Sequence, residues 1–231
     1  MTNYEKIQKA NPQLTIYQVG DEQFRDYGVV YKQFDLTEIN DYMARMAVTA
    51  ANQYVPKNPA IEQMSVIHEI SRDVFGGMAL SAGQCVGHCD AFSAIEFHQG
   101  SEVNITFSDV IMVLGKRRDL RNYEFHAVDD AQIFYIPQGT VFEMFSDTLH
   151  YSPIEVTLAG FKAVVVVLNG TNESLPSSFK THNPMLVKKK KKSINCQSNR
   201  NNCDNITRQI SKTFKWYKFC KKSNNNHNQN K

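Results

Sequence analysis

Ile95-Glu96-Phe97-His98-Gln99-Gly100-Ser101-Glu102-Val103-Asn104-Ile105-Thr106-Phe107 alternates apolar and polar residues over most of its length. Successive side chains of a strand point to opposite faces, so this stretch reads as a strand with two unlike faces. Glu96, His98, Gly100, Glu102, Asn104 and Thr106 share one face, while Ile95, Phe97, Val103, Ile105 and Phe107 share the other. Residues on the same face lie roughly 7 Å apart by strand rise, so Glu96, His98 and Glu102 could converge on one divalent ion if the strand curves. Any half-exposed antiparallel strand shows the same alternation, so a plain solvated face stands beside the metal reading.

A second stretch bears on that choice. Phe134-Tyr135-Ile136-Pro137-Gln138-Gly139-Thr140-Val141-Phe142-Glu143-Met144-Phe145 leads into Thr148-Leu149-His150. Glu143 interrupts an apolar strand, and a carboxylate buried there needs a cation, hydrogen bonds or an outward orientation. His150 follows after a short turn, which would fold it back toward Glu143 and let a histidine and a carboxylate meet.

The surrounding pattern is mostly β. From about Met78 onward, short apolar segments at 85–88, 91–104, 110–114, 131–136, 140–145, 156–158 and 161–168 are separated by Gly115-Lys116, Asp129-Asp130, Pro137-Gln138-Gly139, Ser146-Asp147 and Ala159-Gly160. Closely spaced strands with such turns predict an antiparallel sandwich or barrel. Before them, apolar spacing predicts helices over about 37–52 and 59–75; the second opens at Asn58-Pro59 and ends at Gly76-Gly77. Residues 14–31 read as short strands.

Charge divides the chain. Residues 188–231 hold 13 basic residues against one acid, and residues 1–187 hold 13 basic against 22 acidic, so the body is near −9. An acidic body suits a metabolic enzyme better than a nucleic-acid partner. The tail opens with Lys188 to Lys192 and then carries ten asparagines, with no amphipathic period. Three readings of it stand: a disordered basic tail, a terminus read in a shifted frame after an adenine tract, and a nucleic-acid arm using Trp216, Tyr217 and Phe219. The expected domain is therefore 1–187. No apolar run is long enough to span a membrane, and Met1 to Lys6 lacks the apolar core of a secretory signal, which predicts a cytoplasmic protein. The body has only Cys85 and Cys89, which rules out a disulfide framework there. Lys116-Arg117-Arg118 with Arg121 reads as either an anion site or a solvated loop.

Glu96-x-His98-x-x-x-Glu102 followed by Pro137-x-Gly139 resembles the paired motifs of the cupin superfamily. Glu96 stands where that superfamily has its first histidine, and Phe142 stands where its last one usually falls. Together with Gly76-Gly77-Met78, Leu114-Gly115 and Thr148-Leu149-His150-Tyr151-Ser152-Pro153, these motifs are similar to an uncharacterised bacterial cupin-like family, domain of unknown function 4867, across about Tyr17 to Val187. The resemblance implies a cupin-like jelly-roll β-barrel preceded by the two helices. It also implies a divalent metal (Mn, Zn, Fe or Ni) held by His98, Glu102 and one of Glu143 or His150, with Glu96 or Glu143 moving a proton. The activity it suggests is isomerase or lyase chemistry on a small-molecule substrate such as a sugar acid or sugar phosphate; the alternative is a non-catalytic sugar-binding or regulatory module. With the polar face lining the barrel, Ile95, Phe97, Val103, Ile105 and Phe107 need covering by the helices or a second subunit, from which a homodimer is expected.

Overall fold

The computed structural model describes residues 1–180, 182 and the backbone of 191–194. Its first helix, α1 (Asn3–Ala10), was not read from the sequence, although its signal is local: Thr2 and Glu5 form a reciprocal capping box. Next come β1 (Ile16–Gln18), β2 (Gly28–Tyr31), α2 (Thr37–Ala44), β3 (Gln53–Val55), α3 (Pro59–Glu62) and α4 (Ser65–Asp73). The body continues with β4 (Leu80–Gly87), β5 (Ile95–His98), β6 (Glu102–Thr106), β7 (Val110–Lys116), α5 (Ala127–Asp130), β8 (Gln132–Ile136), β9 (Val141–Met144), β10 (Thr148–Leu149), β11 (Ile154–Glu155) and β12 (Phe161–Leu168). A last strand, β13 (Lys191–Ile194), pairs antiparallel with β5. The rest of the 188–231 tail, and so the three readings of it, lies outside the described residues.

The first expected helix stops at Ala44 rather than about 52. Lys162 Nζ donates to the Met43 carbonyl at 2.9 Å, and Thr49 Oγ1 donates to the carbonyls of Ala51 and Val86, so the backbone beyond has partners outside a helix. The second breaks at Met64, whose backbone is extended, into α3 and α4. Its expected ends hold: Asn58 accepts from the Ala60 amide with Pro59 in the first turn, and Gly76 and Gly77 take positive φ of 60° and 81°.

Two sheets face each other. One runs β2-β9-β6-β12-β4-β3; the other runs β1-β8-β7-β10, with β11 also on β7. All their pairings are antiparallel except β1 with β8. Phe134, Met112 and Leu114 from one sheet and Phe142, Val165 and Val167 from the other meet in a single buried cluster, which is the filling of a jelly-roll barrel. The outward side chains Val103, Ile105 and Val166 pack against Ile39, Met43, Ile61, Ile67 and Ile70 of the helices. Ile95 and Phe97 join a third cluster with Ile7, Ile111 and Ile154. The chain thus covers its own outward apolar face, and the ground for expecting a second subunit there falls away. Ile105 is fully buried in that layer, so Ile105→Val is expected to cost about 0.5–1.5 kcal/mol in urea unfolding.

The deciding stretch is two strands rather than one curved strand. β5 and β6 are separated by Gln99 to Ser101, and a side chain at Gly100 would meet Leu168 Cδ1 at 2.6 Å. The absent side chain at Gly100 lets Leu168 pack against this turn, across which residues 98 and 102 come together. At the second motif Gly139 has φ of 80°, and its amide donates to the Thr106 carbonyl at 2.8 Å, which ties the Pro137-Gln138-Gly139 turn to the end of β6.

Candidate metal centre

β5 delivers Glu96 and His98, β6 delivers Glu102 and Asn104, and the segment after β10 delivers His150. The Glu96 amide donates to the His150 carbonyl at 2.7 Å, and the His150 amide donates back to the Glu96 carbonyl at 2.8 Å. This two-bond bridge fixes His150 against β5. His98 Nε2 lies 3.2 Å and His150 Nε2 3.6 Å from the same oxygen, Glu102 Oε2. The imidazoles meet edge to face, with centroids 4.8 Å apart. One nitrogen or oxygen from each of His98, Glu102 and His150 falls within 4.8 Å of the others, and all three residues are buried.

The polar shell around the trio is directional. His150 Nδ1 lies 2.9 Å from the Thr148 carbonyl, an acceptor, so this nitrogen carries a proton and Nε2 is the atom turned toward Glu102, where a cation would displace any proton it holds. Asn104 Nδ2 donates to Glu102 Oε1 at 2.8 Å, leaving Oε2 for the histidines. His150 Nε2 is buried without a hydrogen-bond partner, a costly state that a cation between it and Glu102 Oε2 would relieve; His98 Nδ1 is also without one, on the other side of the ring from the Nε2 that faces Glu102. Burial disfavours the Glu102 carboxylate, yet His150 and His98 outweigh it and hold the carboxyl well below its usual range. Burial likewise lowers His150, but Glu102 and then Glu96 raise it overall. Asn104→Ala is expected to weaken binding of an added divalent metal by about 10–100-fold in calorimetric titration, because Glu102 loses its orienting donor.

Above the trio is a cavity of about 130 Å³ whose wall includes Glu96, Glu102, His150, Asn104, Tyr54 and Ser152. The sequence reading missed Tyr54 and Ser152. Tyr54 lies on the three-residue β3, in the short gap the pattern left between the two expected helices. Asn172 Nδ2 donates to its hydroxyl oxygen at 3.0 Å, and burial together with Glu102 pushes its phenol far above the ordinary value.

These features match a known sequence family. A family model described as "Domain of unknown function (DUF4867)" matches residues 16–205. The chain belongs to that family. The DUF4867 match continues past Val187, the expected domain end, and takes in β13. No curated protein matches the chain. Similar solved structures include an oxalate decarboxylase variant from B. subtilis, at 10% identity over 74% of this chain and 37% of that one, TM-score 0.34. An 11S globulin from Wrightia tinctoria is similar at 10% identity over 54% and 27%, TM-score 0.32. A salicylate 1,2-dioxygenase variant from Pseudoaminobacter salicylatoxidans is similar at 11% identity over 67% and 35%, TM-score 0.28. The chain thus spans roughly a quarter to two fifths of the length of these structures.

Not every predicted site residue of this DUF4867 chain reaches the centre. His98, Glu102 and His150 do, and Glu96 lines the same cavity. Glu143 does not: it pairs in register with Val103 and Val29, while Met144 is the residue opposite Glu102. Paired residues share a face, so Glu143 points with Val103, away from the barrel interior. There Tyr31 Oη donates to Glu143 Oε2 at 2.6 Å. Glu143→Gln is accordingly expected to leave metal content unchanged by elemental analysis. The basic cluster also disperses. Lys116 is buried against Asp147 at 2.7 Å, Arg117 stacks 4.1 Å from the Phe97 ring centroid, and Arg121 pairs with Asp130 at 3.0 Å. Among the described residues no helix is long and apolar enough to cross a membrane.

Proposed function

We propose that this protein is a metal-dependent enzyme of the cupin type, an isomerase or lyase acting on a small polar metabolite, with His98, Glu102 and His150 holding one divalent cation. The observation that carries this reading is the buried trio, whose donor atoms fall within 4.8 Å of one another while His150 Nε2, facing Glu102, lacks a hydrogen-bond partner. Two imidazoles and a carboxylate suit Mn, Zn, Fe or Ni alike. A bound cation would polarise a substrate carbonyl or stabilise an enediolate oxygen. Glu96, on the cavity wall beside His150, takes a proton from the substrate and returns it. Asn104 keeps Glu102 oriented, and Tyr54 and Ser152 offer hydroxyls to those of the substrate. The test is elemental analysis of the full chain, purified without chelator, beside His98→Ala. Near-stoichiometric metal that disappears in the variant supports the reading, and a folded wild-type chain that retains no metal when loaded overturns it.

A further inference from the structure

We infer that the ligand of this cavity is a small hydroxyl-rich molecule without negative charge, a neutral sugar or polyol-like hydroxycarbonyl rather than a sugar acid or sugar phosphate. The inference rests on reading the centre as a metal site and narrows its substrate class. Both ionisable acids on the wall, Glu96 and Glu102, are buried, at 5% and 8% exposure. A phosphate or carboxylate entering here would lie beside two acidic side chains, with no lysine or arginine among the described side chains on the wall to meet it. The other polar groups on the wall are neutral: the amides of Asn52 and Asn104 and the hydroxyls of Tyr54, Tyr151 and Ser152, which are the partners that ligand hydroxyls need.

Among the described side chains, Lys116, Arg117 and Lys162 are committed to other faces. Lys116 Nζ binds Asp147 and the Asp26 carbonyl. Arg117 lies on Phe97, which points away from the Glu96 and His98 face of β5. Lys162 Nζ binds the end of α2. Among the described side chains, no lysine or arginine lines the cavity.

The test uses the full chain loaded with Mn²⁺, with metal content measured on the same sample. Neutral four- to six-carbon aldoses and ketoses are titrated calorimetrically, each beside its aldonate and its phosphate ester. The expected result is that the tightest ligands are neutral, each binding on the order of tenfold or more tightly than its anionic counterparts. Asn52→Lys, which adds a cation to the wall, is expected to shrink that ratio. Lys191→Met, at the position in register opposite His98, is expected to leave it unchanged. Retained metal with tighter binding of the anionic members, or with no neutral ligand bound, overturns this inference alone. Anion preference that Lys191→Met removes overturns it by showing that β13 supplies the missing cation. Failure to retain metal overturns the inference together with the proposed function.

Discussion

Glu102→Gln is expected to strip the centre of metal while leaving the fold in place. Glu102 Oε2 is the oxygen that both His98 and His150 approach, so the substitution removes the anionic donor and the common contact of the two rings. Losing an outer-shell partner typically weakens metal binding by about 10–100-fold, and loss of the anionic ligand itself is expected to exceed that range. The stability cost is smaller than geometry alone suggests. Removing one partner of a buried ion pair costs about 3–5 kcal/mol when it strands a charge. Here the His150 imidazole, raised by Glu102, can release a proton once the carboxylate is gone, so about 1–3 kcal/mol is expected, the range for an unsatisfied buried polar group. Elemental analysis and urea unfolding of the same preparation check both halves. A folded variant that keeps near-stoichiometric metal would remove Glu102 from the ligand set.

That glutamate was legible in the sequence, and the reason shows where sequence reading stops. Period-two alternation put His98 and Glu102 on one face of a single strand; the chain instead turns at Gln99 to Ser101 and runs as two strands, and the two residues still meet, with His98 Nε2 3.2 Å from Glu102 Oε2. Alternation does not give the register of a neighbouring strand. Glu143 and His150 were both open as further ligands for that reason, and the pairing of Met144 with Glu102 decided against Glu143. Ile39 and Met43 do fall on one buried face of α2, but the expected helix ran on to about 52, past the Met43 carbonyl that Lys162, distant in sequence, engages. Tyr54 was out of reach because a three-residue strand is too short to show any period, and its partners, β4 in the sheet and Asn172 at the hydroxyl, are distant in sequence.

Metal affinity is expected to rise steeply with pH between 5 and 8, because the cation must displace the proton that Glu102 helps hold on His150. His150 is raised from its ordinary 6.5 once burial is outweighed by Glu102 and Glu96. The ionised imidazole therefore contributes stability that is fully present below 6.5 and is lost as pH climbs through the raised value. Glu102 is depressed from 4.5, its burial outweighed by His150 and His98. Its contribution is present above 4.5 and is lost only as pH falls through the lowered value. In the metal-free chain the pair is thus intact between about 4.5 and 6.5 and weakens on the alkaline side, where the freed Nε2 becomes available to a cation. One displaced proton changes apparent affinity by up to about tenfold per pH unit. Thermal unfolding with and without saturating Zn²⁺ should show the protection growing as pH rises from 5, and titrations in buffers of unlike ionisation enthalpy should register about one proton released per metal at about pH 5.5, below the ordinary imidazole value. Affinity that stays flat across this range would mean that the metal does not engage His150 Nε2.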